Sequence, residues 1–209
     1  MEKLLDEIES YWSTRTEGYS EVNHKELAGT QKNAWLKVLT SQFPDKPKEE
    51  IRILDIGTGP GFFPVILAEA GYHVDAVDYT EGMLEKAKEN AGDLCRNIRF
   101  LRMDAQKLDF EDNTFDVVIS RNLTWNLEHP DVAYREWVRV LKVGGRLLNF
   151  DATGTVIFMR KSSVRPTKTT GKMWKTTAWM ITISVRILSA WSGLPSRYRC
   201  QRSVVPSGM

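Results

Sequence analysis

Between residues 51 and 150 the chain alternates short apolar runs with helical patterns, and that alternation limits its fold more than any other feature. Residues 51–56, 73–77, 98–102, 115–120 and 146–150 have the length and β-branching of buried strands. Between them, apolar residues recur at helical spacing over 63–70, 81–90 and 132–141. Strands separated by helices pair in parallel, because each return crossing needs about the length of a helix. The expected fold class is therefore α/β, a doubly wound, mostly parallel Rossmann-like sheet with helices on both faces. Right-handed crossovers then set the loops after the strands along one edge, where ligands bind in such sheets.

Ahead of the sheet, helices are expected over residues 1–12 and about 26–42, with a loop at 13–24, where polar residues and Gly18 interrupt the pattern. Residues 1–45 thus form a helical cap segment of a domain running from 1 to 151. Pro44 to Pro47 is a turn, as is Gly144-Gly145.

The first motif with chemistry is LDIGTGPG, residues 54–61. A buried strand ends at Asp55, and Gly57, Thr58, Gly59 and Gly61 turn the chain into a helix. Glycines there adopt positive φ and let the backbone approach a ligand. A tight strand-to-helix turn needs the same glycines, so the pattern alone does not prove a nucleotide site. A dinucleotide loop ends in Gly or Ala, for close helix–strand packing. Here Phe62 stands at that place, and Asp55 puts a carboxylate where a pyrophosphate would lie. The carboxylate instead suits the ammonium group of an amino-acid-bearing ligand, and a nicotinamide cofactor is disfavoured.

The second motif, VDAVDYT, ends a strand at Asp78, 17 residues after Gly61. An acidic side chain there accepts hydrogen bonds from both hydroxyls of a ribose. Thr80 is the better candidate to cap the helix that follows. In the third, MDAQKLDFEDNTFDVVIS, Asp104 and Ala105 stand where they bracket an adenine, with Tyr79, Met83 and Met103 as its apolar faces. Asp109, Glu111 and Asp112 read as a solvated loop, and no spacing among them suggests a metal.

Taken in order, LDIGTGPG, VDAVDYTEGML, FLRMDAQKLDFEDNTFDVVIS and VAYREWVRVLKVGGRLL resemble the class I S-adenosylmethionine-dependent methyltransferases, close to the small-molecule branch that includes ubiquinone-biosynthesis enzymes. The resemblance covers about residues 50–150. It implies S-adenosyl-L-methionine as cofactor and a small-molecule acceptor. It further implies that Asp55 and the glycine loop hold the methionine end, Asp78 the ribose, and Asp104 with Ala105 the adenine. RNLTWNL (121–127) would then face the sulfonium and the acceptor, with Asn122 the residue expected to touch one of them. Trp125 is either a pocket wall or core, and His129 a surface or capping group. Arg15 and Tyr19 lie in the segment that often folds over the cofactor in this family. Methyl transfer needs positioning above all, and no side chain stands out as a catalytic base. An Asn-Pro-Pro-aromatic motif for base amines does not follow the fourth strand; RNLTWNL stands there instead.

Composition changes abruptly after Asp151. Residues 152–209 hold ten basic residues and no Asp or Glu, which leaves 19 basic and 27 acidic residues in 1–151. An acidic body is thus joined to a tail of charge +10. The tail shows no turn-separated strands of the kind that complete the family's sheet, so the C-terminal strands are expected to be atypical or missing and the fifth strand to be left as a bare edge. Three readings of the tail stand open. It is an arm for nucleic acid or anionic lipid, a segment that left its ancestral reading frame near residue 152, or the carrier of a helix over 178–194. Arg186 and several Ser and Thr argue against a membrane span in that last case. No secretory signal is readable at MEKLLDEIES, and Cys95 and Cys200 lie far apart and match no metal-ligand spacing. A reduced, cytoplasmic protein is the expectation.

Overall fold

The computed structural model describes residues 2–151 and 156–161. Its strands are β1 Ile53–Ile56, β2 Val74–Asp78, β3 Ile98–Arg102, β4 Phe115–Arg121, β5 Leu141–Phe150 and β6 Val156–Arg160. Its helices are α1 Glu2–Ser13, α2 Thr16–Ala28, α3 Gln31–Thr40, α4 Phe62–Glu69, α5 Glu81–Ala91 and α6 Pro130–Val140. One sheet takes the order β3-β2-β1-β4-β5-β6, with β1 to β5 parallel and β6 antiparallel to β5.

Both faces of the central strands β1 and β4 are buried, which is why these two read as apolar runs. Ile53, Val74, Val117 and Leu148 meet Trp35 and Leu39 of α3 and Phe63 and Ile66 of α4. Leu54, Ile56, Val118 and Leu147 face the other way, onto Ala133, Trp137 and Val140 of α6. Trp137 is buried with its single donor satisfied, since Nε1 donates to the Ala105 carbonyl at 2.8 Å and ties α6 to the loop after β3.

At the edge opposite the strands' carboxyl ends, one carboxylate gathers three chain segments. Asp116, 3% exposed, pairs with Lys46 at 2.6 Å and Lys142 at 2.7 Å and accepts the Arg52 amide at 3.1 Å. Burial alone would raise its pKa, but Lys142, Lys46 and the Arg52 amide outweigh it and hold the carboxyl below the ordinary value. The contribution of Asp116 to stability is therefore present at neutral pH and lost as pH falls through that depressed value. Asp116→Ala is expected to cost about 2 kcal/mol, less than a fully buried pair because both lysines reach solvent. Urea unfolding at pH 7 measures it, and an unchanged midpoint would contradict the role.

Three expectations need correction. Residues 13–24 are not a loop: α2 runs Thr16–Ala28, and only α3, Gln31–Thr40, remains of the helix expected over 26–42. The break falls at Gly29, whose N–H donates to the Glu26 carbonyl. Helical spacing of apolar residues failed to reveal α2 because its buried residues are polar, Thr16, Ser20 and Asn23. Gly144-Gly145 is not a turn between elements but lies inside β5, which starts directly at the end of α6. The pairing of β4 with β5 shifts register there, and a Cβ on Gly145 would sit 2.9 Å from the carbonyls of Asp116 and Lys142. The pair is a bulge that absorbs the helix-to-strand change.

The third correction concerns the tail. β5 is not a bare edge, because β6 pairs with it from Arg146↔Arg160 to Phe150↔Val156. Met159 is buried, and so is Lys161, whose Nζ donates to the carbonyls of Val138 and Leu141 at 2.9 and 2.7 Å and to Asn113 Oδ1 at 2.8 Å. A cation there satisfies carbonyls at the end of α6. Residues 162–209, with the basic arm, the altered frame and the 178–194 helix proposed for them, lie outside the described residues. No helix among the described residues is long and apolar enough to cross a membrane.

Candidate active site

The chain runs outward from β1 through β2 to β3, then returns to β4 on the other side of β1. Loops leaving β1 and β4 therefore diverge, and a crevice opens at the carboxyl ends of the strands. A cavity of about 230 Å³ lies there. Its lining includes Asp55, Gly57, Thr58 and Gly59 after β1, Asp78 and Tyr79 at β2, Met83 of α5, Asp104 and Ala105 after β3, and Asn122 after β4. Of the cofactor contacts expected from the glycine loop and the strand ends, Gly61 alone is absent from the lining. Its φ is +89°, and a Cβ there would lie 3.0 Å from that of Ala87, so its bare backbone admits α5.

The glycine loop is held from two sides. The amides of Gly57 and Thr58 donate to the Val77 carbonyl at 2.8 and 3.0 Å, and the Gly59 amide donates to Asp78 Oδ2 at 2.8 Å. Gly59 has φ +53°, and a Cβ there would meet nothing within 4 Å, which leaves room above the loop for a ligand. Asp78 spends its other oxygen on the Thr80 amide at 2.9 Å. Burial raises the pKa of Asp78, against the amides of Thr80, Gly59 and Tyr79, which lower it.

Asp55, 2% exposed, is shifted in the same direction. Burial pushes its pKa from 3.8 up to about 7; the Thr58 hydroxyl opposes this, Asp78 adds to it, and Arg121 opposes it from farther away. A desolvated carboxyl beside open space is poised to take a cationic partner.

Asp104 Oδ1 accepts the Gln106 amide at 2.8 Å, which shapes the turn after β3. Asn122 has φ +58° and donates its amide to the Phe150 carbonyl at 2.7 Å, so the loop after β4 is pinned to β5. Tyr79 lies under the guanidinium of Arg102, 5.1 Å from its centroid, and Arg102 also pairs with Glu9 of α1.

Helices α1 and α2 roof the cavity through Leu5, Ile8, Trp12, Tyr19, Val22, Asn23 and Glu26. Tyr19 takes the place expected of it. Arg15 does not line the cavity; its guanidinium lies over Tyr11, 3.8 Å from the centroid. Trp125 is half exposed, with its ring 6.2 Å from that of Trp12 and outside the lining. His129 is the residue before α6, and its amide donates to Gln106 Oε1. Sequence reasoning included Arg121 in the RNLTWNL segment but missed Glu26 and the two-pronged pair the two form at 2.9 and 3.0 Å, with the Glu26 and Arg121 side chains 11% and 12% exposed. The pair bolts α2 to the end of β4, and Arg121 also lies 4.9 Å from the Phe62 ring centroid. They stand 95 residues apart, and no local pattern announces their meeting.

Comparison with known proteins bears on this arrangement. Residues 54–149 are similar to the methyltransferase-domain family. A demethylmenaquinone methyltransferase from Renibacterium salmoninarum is 31% identical over 148 residues, covering 71% of this chain and 60% of that one. One from Clavibacter sepedonicus is 41% identical over 98 residues, 46% of this chain and 39% of that one. The chain thus spans less than two thirds of the length of these curated relatives. A solved structure from Methanococcus maripaludis, a candidate S-adenosyl-L-methionine-dependent methyltransferase, superposes on 66% of the chain and 62% of its own length, with a TM-score of 0.59 and 25% identity. The family match ends at Asn149, and β6 follows beyond it.

Proposed function

We propose that the chain transfers a methyl group from S-adenosyl-L-methionine to a small-molecule acceptor. The observation that carries this reading is the convergence of Asp55, the glycine loop, Asp78 and Asp104 on one cavity at the point where the strand order reverses. The residues fit the cofactor: a buried carboxyl at Asp55 for its ammonium group, open space over Gly59, a carboxylate at Asp78 for the ribose, and Asp104 with buried Ala105 and Met83 for the adenine. When bound, the cofactor supplies an electrophilic methyl carbon.

The protein's part is positioning and exclusion of water. Asp78 holds the glycine loop and the ribose together, and α1 and α2 close the cavity from above. Leu123, Leu127, Trp12 and Val22 give the cavity an apolar side suited to a ring-bearing acceptor. The names of the relatives make a quinone of the demethylmenaquinone type the first acceptor to test. No base is assigned. A reducing, cytoplasmic setting belongs to the same reading, and Cys95 is a free thiol.

Calorimetry with S-adenosylmethionine and S-adenosylhomocysteine tests the cofactor, and transfer of a labelled methyl group to demethylmenaquinone tests the acceptor. Asp78→Ala is expected to weaken cofactor binding by about 1–3 kcal/mol, through loss of hydrogen bonds to a charged acceptor. An unchanged dissociation constant in a folded variant, or saturable binding of NADH by the wild type, would count against the assignment.

A further inference from the structure

Helix α2 buries polar side chains. Thr16, Ser20 and Asn23 are its buried residues, while Tyr19 and Val22, 40% and 43% exposed, line the cavity together with Asn23. A buried polar side chain is costly unless it meets a hydrogen-bond partner. Two of the three are engaged by the protein. Thr16 Oγ1 donates to the Trp12 carbonyl at 3.1 Å, and Ser20 Oγ receives Asn90 Nδ2 at 3.5 Å. Asn23 differs. It is 5% exposed, it lines the cavity, and its Oδ1 is buried with no hydrogen-bond partner among the described residues.

Its neighbours on α2 fix where that oxygen stands. One turn before it, Ser20 meets Asn90, which donates to the carbonyl of Pro60 in the glycine loop at 2.8 Å. One turn after it, Glu26 pairs with Arg121 at the end of β4, whose charge reaches Asp55. Asn23 shares a helix face with both and lines the same cavity as Asp55 and the glycine loop. An amide oxygen accepts and never donates, so its partner must carry N–H or O–H groups.

We infer that Asn23 accepts a hydrogen bond from the ammonium group of the cofactor's amino-acid end, so that α2 completes a subsite begun by Asp55. The inference rests on the cofactor reading above. An ammonium group has three N–H bonds to place in a buried site, and Asp55 and Asn23 both line that site. The cap helix is then a part of the binding site and not only a cover.

The test compares S-adenosylhomocysteine with 5′-methylthioadenosine, which keeps the adenosine and the sulfur but has no amino-acid end, by calorimetry on the full chain. Asn23→Leu is expected to weaken S-adenosylhomocysteine at least tenfold and to leave 5′-methylthioadenosine within twofold. Asn23→Asp keeps the acceptor and is expected to hold S-adenosylhomocysteine within threefold of wild type. Asp78→Ala weakens both ligands, because both contain the ribose. Should Asn23→Leu fail to fold by circular dichroism, Asn23→Ala carries the same expectation. The inference is overturned if S-adenosylhomocysteine binds the Leu or Ala variant as it binds wild type, or if both ligands weaken alike. It is also overturned if Asn23→Asp loses S-adenosylhomocysteine as fully as Asn23→Leu, which would place the ligand's carboxylate there instead. Failure of wild type to bind either ligand overturns the cofactor reading itself, and this inference with it.

Discussion

Between pH 5 and pH 8 the ligand-free chain is expected to become less stable, and Asp55→Asn to remove most of that loss. Folded Asp55 keeps its proton up to about pH 7, against 3.8 for an exposed carboxyl. In between, the folded chain holds a proton that the unfolded chain has released, so stability falls as pH rises. The contribution is whole below 3.8 and gone above about 7. A difference of about three pH units corresponds to about 4 kcal/mol as an upper bound. Asp78 acts in the same direction, while Asp116 and Glu136, held below their ordinary values, act at lower pH. A cationic ligand group reverses the effect, because its charge favours ionised Asp55. The gap in melting temperature between S-adenosylhomocysteine-bound and free protein should therefore widen with pH. Melting curves at pH 5, 6, 7 and 8, with and without the ligand, measure both trends. If Asp55→Asn kept the wild-type slope, burial of Asp55 would not be its source.

A chain cut after residue 151 is expected to melt well below one cut after residue 161. The shorter form lacks β6, the buried Met159 and the Lys161 ammonium that satisfies the carbonyls of Val138 and Leu141. Loss of the Met159 side chain alone is worth about 1.5–3 kcal/mol by burial, and unsatisfied carbonyls add about 1–3 kcal/mol. The two forms should bind S-adenosylhomocysteine within about tenfold of each other while folded, about 1.4 kcal/mol, because the cavity is lined by residues up to Glu128. Equal melting temperatures would mean that the sheet is complete at Phe150.

The parts of this molecule that were legible in the sequence are those whose cause is local. β1 and β4 show as apolar runs because both of their faces are covered, and Gly57 and Gly59 mark a loop with positive φ. Asp55, Asp78 and Asp104 could be placed because strand ends converge in any sheet of this order. What stayed hidden depends on distant partners. α2 has a polar inner face, which hydrophobic periodicity cannot detect, and Asn23 gains meaning only from the cavity beneath it. Glu26 and Arg121 pair across 95 residues, a partnership that no local pattern carries. Gly144-Gly145 has turn chemistry yet serves as a bulge, and β6 begins inside a stretch whose composition argued against any further strand. Gly61 was read as a ligand contact, whereas Ala87 occupies the space its side chain would need.

The central pairing of β1 with β4 has a consequence for how the chain assembles. Asp116 meets the Arg52 amide across 64 residues of sequence, while β1 with β2, and β4 with β5, close over much shorter stretches. Two halves, β1 to β3 and β4 to β6, can each gather locally before they join, and closing the longer loop is the slower event. The cavity lies on the line where they join. A ligand seated there touches both halves at once and resists their separation, so its effect on hydrogen exchange should be greatest at the amides of Ile53–Ile56 and of the facing Val117–Ser120, not at the sheet's rim.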